Sequence, residues 1–132
     1  MREIKFRAWS IKGKTMWHIN KQMTLSIEGD SWQIRDNAIS NRFMCSWHED
    51  EKGILMQFTG LKDKNGKEIY EGDIICPDKN NQNEKTVGSV EWHEQLACFI
   101  VRYKDGTGWK SFIEMEVIGN IYENPELLRK DL

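Results

Sequence analysis

The chain has 132 residues, 39% of them hydrophobic, with six Trp, five Phe and three Tyr, and carries a formal net charge of −2. A chain of this length closes one core of ordinary size, which predicts a single domain over residues 1–132. The aromatic content excludes a disordered chain, and the near-neutral balance removes any global electrostatic case for nucleic-acid or membrane binding.

Residues Glu3 to Trp9 (EIKFRAW) alternate with period two, placing Ile4, Phe6 and Ala8 on one face and Lys5, Arg7 and Trp9 on the other. This is the pattern of a strand half-covered by core. Lys12-Gly13-Lys14 offers a turn, and Thr15 to Ile19 (TMWHI) returns as a partner strand. From Asn20 to Glu51 the signal weakens. Met23, Leu25 and Ile27 alternate, Gly29-Asp30 marks a break, and Trp32 with Ile34 suggests a further strand. Ile39 to Trp47 reads as strand or short helix, because Ile39, Phe43 and Trp47 recur at a spacing of four. Strand is preferred, since β-branched and aromatic residues hold the apolar positions.

The most informative stretch runs from Ile54 to Cys76. Apolar residues lead into a charged tip at Asn65-Gly66, a pair suited to the positive φ angles of a tight hairpin, and lead out again to Ile69 and Tyr70. Glu71-Gly72-Asp73 forms a second turn that feeds the strand Ile74 to Cys76. Pro77 to Lys85 is polar throughout and reads as a surface loop. Val87 to Trp92 reads as a strand, and Leu96 to Tyr103 as a doubly covered one. Asp105-Gly106 signals another hairpin, with Trp109 to Ile113 returning from it. Val117-Ile118 and Ile121-Tyr122 flank a turn or bulge at Gly119-Asn120. Asn124-Pro125-Glu126 predicts a short C-terminal helix of two turns, with Asn124 as its cap.

Turns every 8–15 residues with few helical windows predict a mainly β fold. The expected architecture is an antiparallel, strongly bent sheet or partly open barrel built from hairpins, with the short C-terminal helix. The alternative is an α+β fold with a helix within residues 20–50.

Three cysteines, Cys45, Cys76 and Cys98, make no closed disulfide framework and suggest free thiols in a reducing cytosol. The N-terminus lacks the apolar core of a signal peptide, and no apolar run approaches the roughly 20 residues of a membrane span. A cytoplasmic protein without a membrane partner is expected. Charge is uneven along the chain: residues 1–22 hold an excess of five positive charges and residues 113–132 an excess of three negative ones.

Candidate chemistry is sparse. Cys45-x-x-His48 has finger-like spacing, but no second close pair completes a zinc site, and burial is the simpler role for each cysteine. Glu71 and Asp73 are two apart, so an acid–base pair is conceivable there. A turn-capping role for Asp73 outweighs it, since no histidine is close in sequence. Cys76, between Ile74-Ile75 and Pro77, reads as a buried strand end rather than an activated thiolate. No catalytic residue, cofactor or metal is therefore assigned. The candidate binding surface is Lys5, Arg7 and Trp9 on one strand face, with Lys14 and Trp17 beside them on the return strand. Basic groups between aromatic ones suit single-stranded nucleic acid, and equally a protein interface. Core packing of Trp9 and Trp17, with the cationic stems snorkelling, weighs slightly more than either.

The N-terminal MREIKFRAW, the central LMQFTGLKDKNGKEIYEGDII and the C-terminal EVIGNIYENPELL together resemble the YopX family of phage and prophage proteins. The resemblance spans both ends and the middle, with residues 20–50 and 77–86 as variable parts. It implies a phage or prophage origin, a small bacterial cytosolic protein and a self-associating β-rich domain, and it carries no catalytic residue onto this chain. The expected function is thus a non-enzymatic accessory protein that works by protein contact as a homo-oligomer, a host or phage protein being the candidate partner. The alternative is a single-stranded nucleic-acid-binding module on the N-terminal strand face; an enzyme or metalloprotein comes last.

Overall fold

The computed structural model describes residues 3–37, 42–48 and 52–129. Strand accounts for 52% of these residues and 3-10 helix for 3%, so the fold is mainly β, as the alternation predicts. The sheets are antiparallel, and one of them curls strongly into a half-barrel. No helix among the described residues is long and apolar enough to cross a membrane. The chain forms two compact units, Ile4–Gln57 and Phe58–Leu132, the latter with Met1–Glu3.

In the first unit, β1 (Phe6–Ser10) lies between β2 (Thr15–His18) and the opening residues of β6 (Gly53–Lys62). The predicted hairpin forms, but Lys14 rather than Gly13 takes the positive φ of its turn. Ser10 Oγ accepts the Gly13 N–H and the Thr15 hydroxyl donates to the Gly13 carbonyl, which fixes the corner. A separate antiparallel sheet contains β3 (Met23–Glu28), β4 (Ser31–Asp36) and β5 (Arg42–Ser46) in that order. The β3–β4 hairpin turns where Gly29-Asp30 predicts it, with Gly29 at φ 61. Strands thus occupy the described parts of residues 20–50, which overturns the helix of the α+β alternative there. The start of the Ile39–Trp47 segment lies outside the described residues. Alternating apolar positions from three hairpin strands meet in a core of Ala8, Ile34 and Cys45, packed by Trp17, Met23, Leu25, Trp32 and Leu55.

The second unit begins in the far half of β6, which pairs with β7 (Glu68–Tyr70). Its principal sheet has the order β11-β10-β9-β8-β12, formed by β8 (Asp73–Cys76), β9 (Gly88–His93), β10 (Cys98–Tyr103), β11 (Gly108–Trp109) and β12 (Glu116–Asn120). Ile69, Ile75, Val90, Phe99, Val101, Phe112 and Met115 form its main core. The β6–β7 tip carries Gly66 at φ 84 but is wider than a two-residue turn, because the last register pair is Lys62 with Glu68. Asp63 organises this wide loop. Its Oδ1 accepts the N–H groups of Asn65 and Lys67, and its Oδ2 accepts the N–H of Val117 on β12 at 2.9 Å. One buried carboxylate therefore satisfies a loop and ties it to a strand 54 residues away.

Two expectations need correction. The C-terminal helix is a single 3-10 turn, Pro125–Leu128. Asn124 makes no side-chain cap; its Oδ1 accepts the Asn120 N–H instead, so the residue serves the preceding turn rather than the helix. The returning strand expected over Trp109 to Ile113 stops after Trp109, because Phe112 dives into the core and the chain turns at once.

Candidate functional site

The N-terminal binding face predicted from alternation does not assemble as a surface. Lys5 is half-buried just before β1, and Arg7 is only 5% exposed. Arg7 points to the face of β1 opposite Ala8, and both side chains are buried, so a strand that alternates in sequence is covered on both faces. Register separates the tryptophans. Trp9 stands opposite Met16 and Ile54, whereas Trp17 stands opposite Ala8, and cross-strand partners share a face. Trp9 and Trp17 therefore point to opposite sides of the sheet, and Trp17 packs on the cluster of Ala8, Ile34 and Cys45. Lys14 is exposed at the turn.

The other sequence candidates resolve into structural roles. Cys45 is buried in the first core while His48 is exposed, its ring edge-on to Trp47 at 5.8 Å. Among the described residues, no three His, Cys, Asp or Glu side chains come together in a group that could hold a metal. Asp73 is buried, and its Oδ2 accepts the Tyr70 N–H at 2.8 Å, the turn-capping role expected of it. Burial pushes the Cys76 thiol up, and the Glu116 and Asp78 carboxylates add to the shift. A thiol so raised stays protonated and is no nucleophile at neutral pH.

What sequence reasoning missed lies at the β11 end of the five-stranded sheet. β11 is two residues long and covers only Val101 and Arg102 of the six-residue β10. A notch follows where β11 stops and β10 continues. An open hollow of about 590 Å³ sits there, with Leu96, Ile100 and Trp109 on its apolar side and His93, Arg102 and Lys110 as its polar and basic groups. Trp109 is 62% exposed and Leu96 48%. The Arg102 Nε donates to Glu91 Oε1 at 2.6 Å and its guanidinium also reaches the Gly106 carbonyl. It lies over Gly108, where any Cβ would stand 3.3 Å from the guanidinium nitrogen. Glu91 thus occupies Arg102, and no acidic side chain among the described residues pairs with Lys110.

Next to the hollow, the chain makes a β-turn closed by the Met115 N–H donating to the Phe112 carbonyl at 3.3 Å. Phe112 and Met115 are buried in the core, so the turn is held at both ends. Its two central residues project: Ile113, 81% exposed, and Glu114 at φ 58. Only glycine and asparagine adopt that backbone region readily, so a glutamate there is strained by the packing around it. A fixed turn tipped with an exposed isoleucine, beside an apolar notch in a sheet edge, is a surface suited to contact with another protein. The signals available in the sequence were the exposed-type pairing of Trp109 with Lys110 and the apolar Ile113 outside any amphipathic period.

Comparison with known proteins accords with this fold. The crystal structure of protein EF1440 from Enterococcus faecalis is similar to this chain with a TM-score of 0.63 at 25% sequence identity, covering 98% of this chain and 100% of that one. No curated protein matches the chain. The family model of the YopX protein matches residues 5–129, nearly the whole length, and the strings at both ends and in the central hairpin lie largely inside that match. The chain belongs to the YopX family.

Proposed function

We propose that this protein is a phage or prophage accessory protein of the bacterial cytosol that works by non-enzymatic protein contact and self-associates through the β10–β11 end of its five-stranded sheet. The observation that carries this reading is the edge itself. A two-residue terminal strand leaves the first half of β10, Cys98 to Ile100, open to a further strand, and Leu96, Trp109 and Ile113 stand exposed around it. Sheet edges of this kind pair with other chains unless blocked, and large exposed apolar groups lose unfavourable hydration on doing so. The buried roles of Asp73 and Cys76 favour contact over catalysis.

Single-stranded nucleic acid is the weaker reading, because its platform loses Arg7 to burial and Trp17 to the opposite face. Light scattering on the wild-type chain, from about 1 μM to about 500 μM, tests the proposal by mass action. A mass that rises to a defined multiple of the monomer is expected. A monomer across the whole range overturns the self-association.

A further inference from the structure

We propose that the Phe112–Met115 turn of one copy docks into the β10–β11 notch of a second copy, with Ile113 entering the hollow beside Leu96, Ile100 and Trp109 and Glu114 pairing with Lys110. This rests on the self-association proposed above and names the surfaces that make it.

Three observations lead to it. The first is shape and polarity. The hollow of about 590 Å³ is walled by Leu96, Ile100 and Trp109, and the turn offers one exposed apolar side chain at its tip. Burying an apolar group of this size is favourable, and interfaces bury such anchors in pockets. The second is charge. Lys110 on the rim has no acidic partner within its own chain among the described residues, and Glu114 on the tip has no basic one. Each lies directly beside the apolar group it would accompany, Lys110 after Trp109 and Glu114 after Ile113. Opposite charges placed in this way fix the register of an interface. The third is rigidity. The turn is anchored by two core residues and holds Glu114 in a backbone region costly for a glutamate. A tip held in this way loses little freedom on docking.

Tip and notch are neighbours in the chain, since Lys110 and Ser111 line the hollow and the turn begins at Phe112. A two-fold axis therefore makes both insertions at once, tip into notch and tip into notch, the self-complementary arrangement of a closed dimer. An open helical assembly is not required.

Charge reversal tests the pairing. In sedimentation equilibrium, Lys110→Glu and Glu114→Lys are each expected to weaken dimerisation about ten-fold or more, and the double reversal to recover most of the wild-type affinity. Ile113→Ser is expected to weaken it by a similar factor with no rescue from either reversal. Glu114→Gly separates folding from docking: relief of the positive φ keeps or raises the melting temperature while dimerisation falls. If the wild type associates but the single reversals match it, or the double reversal fails to recover, the interface lies elsewhere and self-association alone survives. A wild type that stays monomeric removes both.

Discussion

Replacing Asp63 with alanine is expected to destabilise the protein by about 3–4 kcal/mol, measured as a fall in the urea midpoint at pH 7 with little change in slope. The carboxylate accepts three backbone N–H groups at 2.8–2.9 Å. Hydrogen bonds to a charged acceptor contribute about 1.5–3 kcal/mol each, but the three losses do not simply add. Asn65 and Lys67 are exposed, so their N–H groups find water once the side chain is gone. The half-buried N–H of Val117 does not, and with it goes the tie between the loop and β12. Asp63→Asn keeps one acceptor oxygen and sets an amide N–H₂ against a backbone donor, so a loss of about 2 kcal/mol is expected. A cost below about 1 kcal/mol for the alanine variant would falsify this role.

The same carboxylate sets an acid limit. Burial pushes the Asp63 pKa up, but the hydrogen bonds from Val117, Lys67 and Asn65 and the Lys67 charge together outweigh it and hold the group below its ordinary value of 3.8. A folded-state pKa lowered in this way contributes stability that is complete above the unfolded value. It is lost as pH falls from about 4 through the folded value, where the native state must take up a proton it binds poorly. Unfolding free energy should therefore drop as pH falls below about 4 in the wild type, with that share of the drop missing in Asp63→Asn.

Gly53→Ala is the second large effect, at about 2–3 kcal/mol. A Cβ at this position would stand 2.8 Å from the Trp32 ring, 3.2 Å from the Ser46 carbonyl oxygen and closer still to the Cys45 sulfur. Real Cβ atoms do not approach so closely, so the core of the first unit must shift. Cys45 is buried and short, which leaves it little room to yield. The test is a double-mutant cycle. Cys45→Ala removes the sulfur and opens space, so the double variant should lose less than the two single losses summed. Independent, additive losses would show that the sulfur is not what the new methyl meets.

Corners were the most legible part of the sequence. Gly29, Gly66, Gly72 and Gly106, each placed at a break or turn by its neighbours, all adopt a positive φ that few other residues tolerate. Asp73 was legible for the same local reason, its partner Tyr70 being three residues away. Asp63 was not, because its decisive partner is Val117, and no local pattern connects the two. Arg7 was misplaced because period two reports one strand and is silent about whether neighbours cover it on one side or both. Trp17 was misplaced by register: the turn sets it opposite Ala8, and a shift of one residue exchanges every face. The notch escaped notice because the Asp105-Gly106 corner implies a full return strand over Trp109 to Ile113. Its early end comes from Phe112 and Met115 packing into the core, which forces a turn at Ile113-Glu114 with neither glycine nor proline to announce it.

Hydrogen–deuterium exchange compared between dilute and concentrated wild-type protein tests the contact reading most directly. Protection that grows with concentration over residues 96–100 and 108–114, and little elsewhere, is the predicted result. Association with unchanged exchange in those segments, or protection gained on another strand edge, would contradict the assignment of the contact surface to the β10–β11 end.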